Sequence, residues 1–87
     1  MLLQLFTQPF CAPCVRARHV VDRVSQLVPG LQVEHIDVVA RWELGQAAQV
    51  LSTPVIRLLD GGEPVFRAES VPTVDQLLAV LAAHTRT

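Results

Sequence analysis

The spacing of apolar residues separates strands from helices along this chain. The run from Leu2 to Phe6 is short and almost wholly apolar, which is typical of a strand buried on both faces of a sheet. The next apolar residues recur at intervals of three and four, which indicates an amphipathic helix; they are Cys14, Ala17, Val21, Val24 and Val28. Pro13 fits only in the first turn, so this helix should begin at about Cys11 and end at the Pro-Gly pair that starts at position 29.

The middle of the chain predicts a second strand and a second helix. Polar side chains interrupt the alternation in Leu31–Asp37, which favours a strand at an edge of the sheet. Apolar residues at positions i, i+3, i+4 and i+7 then indicate a helix; they are Leu44, Ala47, Ala48 and Leu51.

The last third predicts a hairpin and a third helix. The segment "STP" leads into a strand over 55–59, and the turn "DGGE" joins it to a strand over 64–68, in which Pro64 favours an outer position. The final helix begins with a capping box formed by Thr73 and Gln76. Its apolar positions are Val74, Leu77, Leu78 and Leu81.

The predicted order of elements is therefore β-α-β-α-β-β-α. The βαβ unit requires a parallel pair with a right-handed crossover, and the hairpin requires an antiparallel pair. We expect an α/β fold with a four-stranded mixed sheet flanked by three helices, in a single domain over residues 1–87.

Composition narrows the class of function. The net charge is −1 at pH 7, so nothing indicates a nucleic-acid partner. No apolar run approaches the roughly eighteen residues that span a bilayer, and "MLLQLF" lacks the charged leader of a signal peptide. We expect a cytoplasmic protein, in which a Cys-x-x-Cys pair is more often catalytic or metal-binding than structural.

Both cysteines of the chain, Cys11 and Cys14, lie at the predicted start of the first helix. Free backbone N–H groups and the helix dipole favour negative charge there, and the thiolate is the reactive form of cysteine. We expect Cys11 to attack a substrate disulfide and Cys14 to resolve the mixed disulfide, while Pro13 stiffens the turn. The spacing also allows a metal site or an iron–sulfur cluster shared by two chains, although a closed site needs about four ligands.

The motif "FCAPC" after a strand, with "STP" before the hairpin, resembles the thioredoxin superfamily. The chain is similar in length and element order to its small glutaredoxin-like and mini-thioredoxin members. The resemblance implies a thioredoxin-like fold, a redox-active Cys11–Cys14 disulfide and a cis Thr53–Pro54 bond that exposes the Thr53 backbone to substrate. It implies that Thr53 and Pro54 bind substrate. Phe10, Ala12 and Pro13 are further candidates for substrate binding because they flank Cys11.

The chain departs from the family pattern near the cysteines. Phe10 stands where thioredoxins have tryptophan, and Leu5 stands where they have a buried acid. The chain contains no lysine to accompany that acid, so Cys14 needs another route, such as water, to lose its proton. The stretch "ESVPTVDQ" replaces the segment with which glutaredoxins hold glutathione, which argues against glutathione binding. Gly61 and Gly62 belong to the hairpin turn instead.

Other candidate residues admit two interpretations. Trp42 follows the second strand, at the end of the sheet that should border the site, so it either lines a substrate groove or packs on the second helix. Arg41 is a candidate for contact with a substrate carboxylate. An exposed Phe10 would dock a protein substrate, whereas a buried one would cover the sheet. The histidines lack a ligand-like spacing to the cysteines and are expected at the surface; they are His19, His35 and His84.

Together these features predict a thiol–disulfide oxidoreductase that reduces oxidised protein substrates and needs no bound cofactor. Electrons would come from a thioredoxin-reductase-type flavoenzyme that draws on NADPH. The alternatives are a non-catalytic binding module with the same fold, a metal carrier, and an enzyme specialised for one small molecule. We expect a monomer without membrane or nucleic-acid partners.

Overall fold

A computed structural model describes residues 1–84 and confirms the predicted order of elements. The strands and helices are β1 (Leu2–Thr7), α1 (Ala12–Leu27), β2 (Gln32–Asp37), α2 (Trp42–Ala47), β3 (Val55–Asp60), β4 (Glu63–Ala68) and α3 (Val74–His84). Within this range no helix is both long and apolar enough to cross a membrane.

The four strands form one mixed sheet in the order β2-β1-β3-β4. The pair β1–β2 is parallel, and the pairs β1–β3 and β3–β4 are antiparallel. The polar strand β2 and the Pro64-containing strand β4 are therefore the edges, as their sequences predict. Because of these directions, β1, β2 and β4 all end where β3 begins, and we call this end of the sheet the site end.

The first face of the sheet is covered by α1 and α3. Leu3 and Leu5 from β1 and Ile56 and Leu58 from β3 point to this face and are almost completely buried. The predicted apolar stripes of both helices pack on them. Their buried members here are Ala17, Val21, Val24, Leu77 and Leu81, whereas Val28, Val74 and Leu78 are only partly buried. This core is larger than the one on the second face, and it holds α1 against the sheet with the N-terminus of the helix at the site end.

The second face is only partly covered, because α2 has six residues. At the site end, Phe6, Ile36 and Val55 are buried with Ala48, which follows α2. Farther along the strands, Gln4 donates to Glu34 at 2.8 Å and accepts from the Arg57 guanidinium at 2.9 Å. This polar ladder, Glu34–Gln4–Arg57, crosses three neighbouring strands.

The second helix differs from its prediction. It begins at Trp42 and ends at Ala47, so Leu51 is not on its buried face but almost fully exposed. Gln49 adopts a φ of 57°, its N–H donates to the Gln46 carbonyl, and the Val50 N–H donates to the Gly45 carbonyl. This pair of bonds is a Schellman motif, which ends the helix one turn before Leu51.

Candidate active site

The N-terminus of α1 holds the two cysteines in a disulfide, with their Cα atoms 5.2 Å apart. Cys11 is the N-cap residue, and its Sγ accepts a hydrogen bond of 3.2 Å from the Cys14 N–H. Cys14 is buried, whereas Cys11 is partly exposed. The more accessible sulfur is thus also the one held by a backbone donor, which favours negative charge on it when the disulfide is reduced.

The tight connection from β1 to α1 carries Phe10 into solvent. Phe10 has a φ of 60°, in the left-handed region, and its side chain is fully exposed. It therefore does not cover the sheet, which was one of its two interpretations. Ala12 is exposed and Pro13 half-buried on the other side of Cys11. Apolar surface consequently flanks the accessible sulfur on both sides.

The loop before β3 brings Thr53 to Cys11. The Thr53–Pro54 bond is cis, as the resemblance implies, and Pro54 is buried. The Thr53 hydroxyl lies 3.8 Å and its carbonyl oxygen 3.9 Å from Cys11 Sγ. In the reduced protein the hydroxyl can donate to a thiolate, and the carbonyl remains available to an incoming chain.

Two grooves lie at the site end. The first groove has a volume of about 620 Å³ and is lined by both cysteines together with Thr7, Gln8, Pro9, Phe10, Ala12, Val15 and Arg18. The second groove, of about 870 Å³, is lined by Val38, Trp42, Gly45, Gln46, Gln49, Val50, Leu51, Arg67 and Glu69. Trp42 begins α2 and is largely exposed in this groove, so it is not buried against the helix.

Arg67 was missed by the sequence analysis. Its guanidinium donates to the Ala48 carbonyl at 2.7 Å and to the Gln49 carbonyl at 2.8 Å, and it pairs with Glu69. These are carbonyls that the end of α2 leaves without helical partners. The contact joins β4 to residues that are distant in the sequence, so no local sequence pattern predicts it.

The charged and histidine candidates from the sequence do not line the groove that contains the cysteines. Arg41 forms an ion pair with Glu43 at 3.5 Å. His19 and His35 are exposed, and His84 is half-buried. In residues 1–84 no three His, Cys, Asp or Glu side chains are grouped as metal ligands. Leu5 is completely buried, so the position of the family's acid belongs to the core in this chain.

Comparison with known proteins identifies the fold. No family model and no curated protein matches the sequence. A mutant thioredoxin from Halobacterium salinarum is 26% identical and superposes with a TM-score of 0.91, covering 99% of this chain and 75% of that one. Thioredoxin-2 of the malaria parasite is 19% identical and superposes with a TM-score of 0.91, covering 95% of this chain and 82% of that one. Thioredoxin 1 of Thermosipho africanus is 15% identical and superposes with a TM-score of 0.86, covering 97% of this chain and 93% of that one. The chain therefore has the thioredoxin fold, with a paired Cys11 and Cys14 at the start of α1.

Proposed function

We propose that this protein is a thiol–disulfide oxidoreductase that reduces disulfides in other proteins. The observation that carries the proposal is the environment of Cys11 Sγ. This sulfur is partly exposed, accepts the Cys14 N–H, lies 3.8 Å from the Thr53 hydroxyl and is bonded to the buried Cys14. A nucleophile with two nearby donors and a resolving partner has the parts that dithiol exchange requires.

The reaction begins with both cysteines reduced. The Cys11 thiolate attacks one sulfur of the substrate disulfide, a new S–S bond forms, and the other substrate sulfur leaves as a thiolate. Cys14 then loses its proton to water and attacks Cys11 Sγ, which releases the second substrate thiolate. The substrate gains two electrons, and after its thiolates take up two protons the protein is left as the Cys11–Cys14 disulfide.

Substrate is held by the loop that faces the sulfur. The substrate chain pairs with the Thr53 backbone as an added strand, and the buried Pro54 fixes the loop in which that backbone lies. Phe10, Ala12 and Pro13 provide the surrounding surface against which the substrate packs. This arrangement suits an extended protein segment better than a small molecule, because both grooves are open to solvent.

The electrons that restore the dithiol come from an outside donor. We infer a thioredoxin-reductase-type flavoenzyme that draws on NADPH, because the glutathione-holding segment of glutaredoxins has no counterpart in this sequence. Electrons pass only between sulfur atoms on this chain, so the proposed reaction needs no bound cofactor.

The test is reduction of insulin by the protein, with dithiothreitol or a thioredoxin reductase and NADPH as electron donor. We expect catalysis by the wild type and its loss in Cys11→Ser. Cys14→Ser should accumulate a mixed disulfide with insulin through Cys11, visible by non-reducing electrophoresis and mass spectrometry.

Two outcomes would contradict the proposal. Activity that survives Cys11→Ser would exclude Cys11 as the nucleophile. A wild-type pair that never oxidises, with no preferential alkylation of Cys11 near neutral pH, would instead support a non-catalytic binding module. Metal analysis of the purified protein tests the metal-carrier alternative in the same preparation.

A further inference from the structure

The first groove contains a charged side chain that the proposed chemistry does not use. Arg18 lines this groove together with both cysteines, and every other residue that lines it is uncharged. Next to the reactive sulfur the surface is apolar, since Phe10 is fully exposed and Val15 is more than half exposed. The groove therefore combines an apolar wall with a single cation.

Helix geometry directs Arg18 toward the site. Arg18 follows Cys14 by four residues and the N-cap Cys11 by seven, so the three lie on one side of α1. Helical side chains lean toward the N-terminus of their helix, which here is the end that carries the cysteines. A rise of about 1.5 Å per residue places the Arg18 backbone about 10 Å from Cys11 along the axis.

The Arg18 guanidinium is also free to bind. Among residues 1–84 it forms no ion pair, whereas Arg41 and Arg67 each pair with a glutamate two residues further on. The groove itself offers no carboxylate. A charge in this position is complementary to an anionic group on an incoming chain.

We propose that Arg18 selects oxidised proteins that carry an aspartate or glutamate close to the target disulfide. The inference rests on the proposed function and adds a substrate class to it. An extended chain advances about 3.3 Å per residue, so the carboxylate that reaches Arg18 lies about three residues from the attacked cysteine. Phe10 and Val15 contact the residues between them.

A direct effect of Arg18 on the Cys11 thiolate is not the basis of this proposal. Arg18 is exposed, so water and salt weaken the electrostatic effect of its guanidinium on the Cys11 thiolate. Arg18→Gln should therefore leave the pH dependence of Cys11 alkylation unchanged. This readout separates substrate binding from an influence on the nucleophile.

The experiment compares kcat/KM for disulfide-containing peptides with Glu, Gln or Lys three residues to either side of the attacked cysteine. The enzymes are the wild type, Arg18→Gln, Arg18→Glu and Arg16→Gln, the last being a matched control because Arg16 is exposed on α1 but does not line the groove. We expect the wild type to prefer Glu over Lys about five-fold, as for an exposed ion pair. Arg18→Gln should abolish the preference, Arg18→Glu should reverse it, and Arg16→Gln should retain it.

The outcomes separate this inference from the proposed function. Equal kcat/KM for the three wild-type substrates, or equal losses in Arg16→Gln and Arg18→Gln, would overturn the role of Arg18 while leaving dithiol exchange intact. No turnover of any peptide by the wild type would overturn the proposed function and the inference together. A preference that disappears in 1 M salt would support the ion pair.

Discussion

The N-termini of α1 and α3 share one capping hydrogen bond but differ in their chemistry. In α3, the Thr73 hydroxyl accepts the Gln76 N–H at 3.1 Å, and the Gln76 side chain accepts the Thr73 N–H at 2.9 Å. In α1, Cys11 Sγ accepts the Cys14 N–H at 3.2 Å. In both helices the N-cap side chain thus accepts the N–H of the residue three positions later, and only α3 has the reciprocal bond from the N-cap N–H.

The comparison shows that the Cys-x-x-Cys spacing is also the spacing of a capping box. At the start of α3 the two positions carry oxygen and amide groups, and their reciprocal bonds stabilise the helix. At the start of α1 they carry two sulfurs, which are poor capping groups but can form and break a covalent bond. The equivalent backbone N–H stabilises the start of α3 and, in the proposed function, the thiolate at the start of α1.

The largest effect should come from giving α1 a hydroxyl N-cap like that of α3. Cys11→Ser supplies an N-cap hydroxyl but removes the nucleophile, so disulfide reduction should fall by about a thousand-fold or more. Its free energy of unfolding should equal or exceed that of the reduced wild type, by about 0.5 kcal/mol, because serine is a preferred N-cap residue. Insulin reduction and urea denaturation under reducing conditions measure the two effects. A large loss of stability would show that the sulfur itself holds the helix end.

The next largest effect should come from the C-terminus of α2, where Arg67 from β4 donates to two free carbonyls. Arg67→Met removes two charge-assisted bonds to the Ala48 and Gln49 carbonyls, and should lower the free energy of unfolding by about 2 kcal/mol. Chemical denaturation measures the change, and Arg16→Met, at an exposed position on α1, is the matched control. Equal midpoints for the two variants would mean that water replaces the guanidinium without loss.

The cap of α3 should matter for stability alone. Thr73→Ala removes the acceptor for the Gln76 N–H and should cost about 1 kcal/mol in the free energy of unfolding. Thr73→Ser keeps the hydroxyl and should recover most of this loss. Insulin reduction should be unchanged in both variants, and a parallel loss of activity would contradict the separation of the two helix ends.

The smallest effect concerns the Schellman motif of α2. Gln49 holds the left-handed position that glycine occupies most readily, so Gln49→Gly should raise the free energy of unfolding by about 0.5 kcal/mol. Gln46→Gly, inside the same helix, should lower it by about 1 kcal/mol. Thermal melts of both variants measure the difference, and destabilisation by Gln49→Gly would show that its side chain contributes more than its backbone conformation costs.

Local patterns predicted most of the fold. The periodicity of α1 and α3, the apolar run of β1 and the capping box at Thr73 are short-range signals, and each corresponds to an observed element. The meeting of Cys11 with Thr53 depended on resemblance, because periodicity alone does not bring two distant loops together. The structure places the cysteines, Thr53 and Pro54 at one end of the sheet, and their roles in catalysis stay predictions.

The end of α2 and the role of Arg67 could not be predicted. Periodicity continued to Leu51, and glutamine is not the residue that usually signals a left-handed helix terminus. Arg67 contacts carbonyls eighteen and nineteen residues earlier in the chain, so its partners follow from tertiary packing. The exposure of a side chain likewise depends on the whole fold, so the sequence alone left two interpretations for Phe10 and Trp42, both of which are exposed.

The polar ladder on the second face has a consequence for the behaviour of the protein at high concentration. With a net charge of −1, repulsion between whole molecules is weak. A second molecule that stacked its sheet on the uncovered strands would have to strip water from the Arg57 guanidinium and the Glu34 carboxylate, which Gln4 already links. This desolvation cost opposes sheet-to-sheet aggregation through the part of the second face that α2 leaves uncovered.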